Sequence, residues 1–325
     1  MNISKEIPVV IAFDENVLIQ AKVCILSLLK SSTQNECYHI ICMHKNLTKE
    51  LLNQFDYFLS KYRNCSWEYI NMHDLFKSAY LSNVGPQSIA TYYRFLIPRL
   101  LSKYDRVIYV DIDYIFRDGL YQLYFQENMD GYYLAGVSDW GVIKAYQSYL
   151  LNRGITSDEY INAGFLLMNL KLINQDNMVD LWLREVSDEK KQWLFMDQDI
   201  LNLTCQGKIK LLKAKYNFIP PGYKDLLILD EYKEAAGEGN LHYAGPKPWK
   251  CWKGRKGMIW WGFYFKLPFS QRDIAFFIRS WCMIVYYFFK QKFTRIIYYL
   301  NRYLGIRLLK MDADTYMETE CSPKQ

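Results

Sequence analysis

Neither of the familiar phosphate-binding loops occurs in this 325-residue chain: no G-x-G-x-x-G follows the first apolar run, and G-x-x-x-x-G-K-[ST] is found nowhere. A bound phosphate must therefore be held by other groups. The eight cysteines include no C-x-x-C pair, which removes the usual zinc and disulfide-exchange spacings and points to a reducing, cytoplasmic setting. Low-complexity tracts and internal repeats are absent, which argues against disordered and solenoid architectures. The apolar run between Glu6 and Asp14 is seven residues long, too short and too acidic at its end for a signal peptide. The longest uncharged run in the aromatic C-terminal region, residues 280–289, is ten residues, about half of what a membrane-spanning helix requires.

What the chain does have is core-forming material. Apolar residues make up 51% and charged residues 23%, enough for one large α/β domain or two ordinary ones. The net charge of +6 is concentrated: residues 271–310 hold eight Lys or Arg against one acid, leaving the rest of the chain near neutrality. That distribution speaks against a nucleic-acid-binding body and leaves a basic tail in need of a partner.

Residues 7–13 (IPVVIAF) read as a fully buried strand, and residues 17–29 carry apolar side chains at helical spacing. Residues 37–43 and 67–72 read as further strands. Between them Leu51, Leu52, Phe55, Phe58, Leu59 and Tyr62 form a helical stripe, with Thr48 as an N-cap that lacks a capping-box partner. Residues 88–101 look helical up to Pro98, and 107–110 (VIYV) read as a strand. This alternation predicts a parallel sheet covered on both faces. Residues 132–137 and 165–170 add strands, residues 181–186 a helix, and Asp197 is placed as the N-cap of another.

The chemistry centres on Asp111-Ile-Asp113 at the end of 107–110. If the strand continues, side chains alternate, so both carboxylates face one way and call for a cation. A divalent metal with hard oxygen ligands fits the carboxyl end of a parallel strand. The competing reading is a strand-end Asp capping the next turn, and two further Asp-x-Asp tripeptides, at Asp197 and Asp312, show that the pattern alone carries little. His242 and Lys247 share a Gly- and Pro-rich segment suited to closing over phosphate. A metal on two carboxylates, helped by a His and a Lys, neutralises a diphosphate and stabilises it as a leaving group.

Six ordered motifs add to this: Ala12-Phe-Asp14-Glu-Asn16, Ser88-Ile-Ala-Thr91-Tyr92-Tyr-Arg94, Tyr109-Val-Asp111-Ile-Asp113, Asn162-Ala163-Gly164, Asp197-Gln198-Asp199 and His242-x-x-Gly245-x-Lys247-Pro-Trp. Together they resemble glycosyltransferase family 8, which includes glycogenins and bacterial lipopolysaccharide galactosyl- and glucosyltransferases. The chain has one residue fewer between Gly245 and Lys247 than that family usually has. The resemblance implies an α/β fold of the GT-A nucleotide-diphospho-sugar transferase type over residues 1–265; the basic, aromatic helical tail that follows, residues 266–325, is read from charge and side-chain type. The same resemblance implies a retaining hexosyltransferase that takes glucose or galactose from a UDP-sugar to a glycan or glycolipid acceptor. Ala12, Asp14 and Asn16, with Ile112, would hold the uridine side of the donor. Asp111, Asp113 and His242 would ligate Mn²⁺ or Mg²⁺, and Gly245 and Lys247 would contact the diphosphate. Arg94, Asp139, Asn162, Ala163, Asp197 and Gln198 would surround the donor sugar.

Retention needs either a protein nucleophile or a front-face route in which the departing phosphate assists the acceptor hydroxyl. Gln198 is a poor nucleophile and Asp199 a good one if it reaches the anomeric carbon, so the sequence leaves both open. The front-face route, with Gln198 steadying the sugar, is the favoured expectation. A metal-dependent nucleotidyl- or phosphotransferase explains the carboxylates but not the His-Tyr-Ala-Gly-Pro-Lys-Pro-Trp segment. A glycogenin-like self-glucosylating primer remains the rival within the family, and a membrane-surface binding protein without chemistry a third class. In the tail, eleven aromatics interleave with eight cations over 271–310. Their spacing predicts two amphipathic segments with a break near 290, lying on the anionic inner face of the cell membrane.

Overall fold

The first apolar run becomes strand β1 (Glu6–Phe13), which is buried because it sits inside a sheet with parallel neighbours on both sides. The computed structural model describes residues 6–32, 36–73, 89–188, 191–220, 227, 229–251 and 254–303. After β1 come helix α1 (Leu18–Ser31), strand β2 (Cys37–His44), helix α2 (Lys49–Leu59) and strand β3 (Cys65–Asn71). Thr48 does cap α2, its Oγ1 accepting from the Leu51 N–H. Helix α3 (Tyr93–Leu100) runs through Pro98 to Leu100 and does not stop at the proline. Strand β4 (Val107–Val110) follows, then the short β5 (Tyr114–Ile115), β6 (Leu134–Gly136), helices α4 (Trp140–Ala145) and α5 (Gln147–Asn152), and β7 (Phe165–Met168). Helices α6 (Leu170–Gln175), α7 (Met178–Ser187) and α8 (Met196–Thr204) precede β8 (Ile209–Leu211), α9 (Asp230–Glu238) and β9 (Leu241–His242).

The main sheet has the order β3-β2-β1-β4-β7-β6-β8. Strands β1 to β4 are mutually parallel, as the alternation predicts, but β7 runs antiparallel to both β4 and β6, so the sheet is mixed. Alternate residues of the strands point into a core shared with α3, α6, α7 and α8, including Val10, Ile41, Tyr109 and Leu166. The chain builds outward from β1 through β2 and β3, then crosses to the opposite side of β1 to lay down β4. Such a reversal opens a crevice at the carboxyl ends of the two strands, where open α/β sheets bind their ligands. Asp14 follows β1 and Asp111 follows β4, so the candidate residues stand at that crevice.

The chain divides into two compact units, Met1–His242 and Tyr243–Gln325. In the second, helices α10 (Gly254–Lys266) and α11 (Ile274–Tyr303) pack through aromatic rings: Trp261 lies 5.4 Å from Trp281, and Tyr264 stacks on Phe277 at 6.0 Å. Helix α11 is continuous through residue 290, contrary to the expected break. The reason is backbone chemistry: the basic residues change sides there, but no Gly or Pro interrupts Ile274–Tyr303. Phe276, Ser280 and Ile284 form its buried stripe, while Val285, Tyr286, Phe289 and Phe293 are exposed. Residues 304–325, including the end of the tail, lie outside the described residues. Among the described residues no helix is long and apolar enough to cross a membrane.

Candidate active site

Strand β4 stops at Val110, so Asp111 and Asp113 sit in the turn beyond it and the alternation argument does not apply to them. What brings their carboxylates together is a third element. In the β5–β9 ribbon Tyr114 pairs with His242, which sets the imidazole beside the residue preceding Tyr114. His242 Nε2 is 3.2 Å from Asp113 Oδ1 and 3.9 Å from Asp111 Oδ2. One ligand atom from each of the three residues lies within 4.8 Å of the others, and this is the one such group among the described residues. Gly164 makes room for it: a Cβ there would come within 2.2 Å of His242 Cε1 and 2.8 Å of Asp111 Oδ2. The backbone is pinned as well, the Asp111 N–H donating to Gly164 O at 2.8 Å.

Two hard carboxylate oxygens and an imidazole nitrogen form a donor set that fits a divalent cation. His242 is 2% exposed, and its buried Nδ1 has no hydrogen-bond partner. Asp111 Oδ1 is turned to protein, accepting from Tyr109 Oη at 2.8 Å and Arg94 Nη2 at 3.1 Å. That leaves Oδ2 as the oxygen nearest His242.

Arg94 carries the site sideways. Its guanidinium stacks over the Tyr109 ring at 4.3 Å, donates to Thr91 O and Ala163 O, and pairs through Nε with Asp197 Oδ2 at 2.9 Å. Asp197 is therefore no N-cap: it lies inside the first turn of α8 and spends its charge on Arg94. Burial pushes the Asp197 carboxyl up to about 7, partly offset by Arg94 and reinforced by the nearby Asp111.

Next to this pair lies a closed hydrogen-bond network. Asp139 caps α4, its Oδ1 accepting from the Gly141 and Val142 N–H groups. Its Oδ2 accepts from Asn162 Nδ2 at 2.9 Å and Gln198 Nε2 at 3.1 Å. Gln198 Oε1 accepts from the Ala163 N–H at 3.0 Å and Asn162 Nδ2 at 3.1 Å, and its Nε2 also donates to Tyr160 Oη at 3.2 Å. Asn162 Oδ1 accepts from the Gly164 N–H and from Asn217 Nδ2. Asp199, expected as a potential nucleophile, has no exposed surface. Its oxygens accept from Tyr160 Oη, Tyr149 Oη and the Phe195 N–H, at 2.7, 2.7 and 2.9 Å. Asn202 braces the layer from below, paired with both the N–H and the carbonyl of Ile161 and with Gln198 O. Met196, the first residue of α8, is held at φ +45°, a left-handed conformation that costs about 1–2 kcal/mol for a residue with a Cβ.

At the end of β1, Asp14 Oδ1 caps a short turn by accepting from the Asn16 N–H at 2.9 Å; Ala12 and Asp14 are half-buried and Asn16 is exposed. Ile112 is half-buried between the two acids. Gly245 and Lys247 belong to the second unit, where Lys247 Nζ donates to Tyr243 O at 2.8 Å. Sequence reasoning missed Tyr149, Tyr160, Asn202 and Asn217 altogether. With 28 tyrosines in the chain, a tyrosine carries no signal by itself. Gly164 was visible in its motif as a place where backbone comes close to a ligand, but not as the place where His242 and Asp111 press in.

The profile of glycosyl transferase family 8 matches residues 8–253. A lipopolysaccharide 1,2-glucosyltransferase of Escherichia coli is 29% identical over 257 residues, which is 74% of this chain and 72% of that protein. A lipopolysaccharide 1,3-galactosyltransferase of Salmonella typhimurium is 31% identical over 174 residues, half of each chain. Across the first curated relatives the chain spans 40% to 72% of their length. Among solved structures, galactosyltransferase LgtC in complex with donor and acceptor sugar analogues superposes with a TM-score of 0.63 at 25% identity, covering 81% of this chain and 98% of that one.

Proposed function

Since the chain belongs to glycosyltransferase family 8 and has its GT-A fold, we propose that it is a retaining, metal-dependent hexosyltransferase that moves glucose or galactose from a UDP-sugar to a glycan acceptor. The observation that carries this is the convergence of Asp111, Asp113 and His242 at the carboxyl end of β4, beside the buried Arg94–Asp197 pair. Those three residues would hold Mn²⁺ or Mg²⁺. A bound divalent ion there would neutralise the diphosphate and stabilise it as a leaving group. Ala12, Asp14, Asn16 and Ile112 take the uridine, and Gly245 and Lys247 take the diphosphate. Arg94, Asp139, Asn162, Ala163 and Asp197 surround the donor sugar.

For retention we favour the front-face route. Both oxygens of Asp199 are already engaged by three donors in a fully buried position, which argues against attack on an anomeric carbon. Gln198, its carbonyl accepting from the Ala163 N–H and Asn162 Nδ2, is held in one orientation, and its fixed dipole would steady the positive charge that develops on the sugar. Two relatives are named as lipopolysaccharide glycosyltransferases, and the exposed aromatics of α11 with Arg279, Lys290 and Lys292 fit an anionic lipid surface at the inner face of the membrane. Neutralising those three cations should remove about 1 kcal/mol of vesicle binding for each. Unchanged, salt-insensitive binding to anionic vesicles would refute the membrane role.

The test of the main reading is a donor screen. With Mn²⁺ present, UDP-glucose or UDP-galactose releases free UDP, and chelation stops it. Release of diphosphate instead would favour a nucleotidyltransferase. Transfer onto the chain's own tyrosines, seen by mass spectrometry, would favour a self-glucosylating primer.

A further inference from the structure

We infer that Asp199 and Tyr160 form a directional relay that fixes which way the Gln198 amide points, making both of them positioning residues for the sugar end of the reaction. The inference rests on the role proposed above for Gln198. Its logic starts from groups whose sense of hydrogen bonding is beyond choice. The Ala163 N–H can only donate, so the Gln198 atom 3.0 Å away must be the carbonyl Oε1. The opposite end of the amide is then Nε2, which can only donate, and its partners are Asp139 Oδ2 and Tyr160 Oη. Tyr160 Oη must accept there, so its own proton goes elsewhere, and Asp199 Oδ1 receives it at 2.7 Å.

The far side of Asp199 is fixed in the same way. The Phe195 N–H donates to Oδ2 at 2.9 Å, and Tyr149, which accepts from the Leu194 N–H, gives its proton to the same oxygen at 2.7 Å. The donations thus converge on Asp199 from both ends, from the Leu194 backbone through Tyr149 and from the Gln198 amide, itself fixed by the Ala163 N–H, through Tyr160, and only a group that accepts on both sides fits at position 199. Reversing Gln198 would set its nitrogen against the Ala163 N–H and leave buried donors facing each other, a costly arrangement. The relay therefore keeps the carbonyl edge of Gln198 beside Ala163 and Asn162 and its nitrogen edge away from them.

The test is a thermodynamic cycle on the full-length protein, reading kcat for sugar transfer and, separately, the affinity for UDP with Mn²⁺. Tyr160→Phe removes the hydroxyl with little change in shape, and Gln198→Ala removes what it positions. We expect Tyr160→Phe to lower kcat about tenfold, leave UDP affinity within about twofold, and have no further effect in a Gln198→Ala background, since residues acting as a unit are not additive. Asp199→Asn serves as a second arm if the first variant folds poorly. The Phe195 N–H holds the new oxygen, so the new amide nitrogen faces Tyr160 and meets a second donor in Gln198, and the same cycle should again be non-additive. Multiplicative losses in the double variants, or a loss of UDP affinity as large as the loss in kcat, would overturn the relay while leaving the role of Gln198 standing. Wild-type kcat in Gln198→Ala would overturn that role and the relay with it.

Discussion

Around His242 the structure gathers two carboxylates onto one imidazole nitrogen and leaves the other nitrogen buried without a partner; around Gln198, a short distance along the same crevice, every donor and acceptor of Asp139, Asn162 and Gln198 is satisfied. The first region is poised and the second is finished. A set of like charges sharing one imidazole is completed by a cation, so its stabilisation arrives with the ligand. The second region spends its polar groups on one another and forms a rigid wall with defined dipoles, the kind of preorganised surface that stabilises developing charge. Arg94 joins the two, one nitrogen on Asp111 and another on Asp197.

The sharpest way to break this contrast is to remove a ligand on the poised side. Asp113→Ala should lower transfer by about a thousandfold or more, roughly 4 kcal/mol of barrier, while leaving the urea midpoint of the metal-free protein unchanged or raised. A steady-state assay alongside denaturant titration reads both. On the finished side the order inverts. Asn202→Ala strands the Ile161 N–H and carbonyl in a buried place, and should cost about 2–4 kcal/mol of folding stability before any effect on metal affinity. An unfolding midpoint equal to that of the wild type would contradict the claim that this region is held by its own bonds.

Gly164→Ala probes the seam between them. The added methyl overlaps His242, so we expect about 1–3 kcal/mol of destabilisation together with weakened Mn²⁺ binding by calorimetry; full-strength binding would show that the imidazole does not need that space. The smallest effect is in pH. Asp197 is raised from the ordinary carboxylate value to about 7, so the folded state holds that proton more tightly than the unfolded one. Its contribution is fully present below about pH 4 and is lost as the pH rises through about 7. In chelator, wild-type stability should therefore fall relative to Asp197→Asn across that window, and parallel curves would refute it.

Much of the frame was legible in the sequence because buried parallel strands are continuous apolar runs, as in residues 7–13 and 107–110. The direction of β7 was not: Phe165–Met168 is buried on both faces, and a run without alternation carries no mark of which way it lies. The meeting of Asp111, Asp113 and His242 was readable because carboxylates and a histidine are chemically specific, though the strand expected to align Asp111 with Asp113 ends before either, and a ribbon register does that work. Asp197 illustrates the opposite failure. A local rule made it a cap, and a tertiary partner 103 positions away, Arg94, overrode that rule. The sequence left Asp199 open as a nucleophile because its three donors come from Tyr149, Tyr160 and Phe195, which only folding assembles.

The contrast between a poised and a finished region is tested most directly by titrating Mn²⁺ into the protein with UDP present and following free ion by electron paramagnetic resonance. The account predicts one ion bound per wild-type chain, the same stoichiometry and an affinity within about threefold in Gln198→Ala, and loss of that ion in Asp113→Ala. Undiminished binding in Asp113→Ala, or its loss in Gln198→Ala alone, would contradict it.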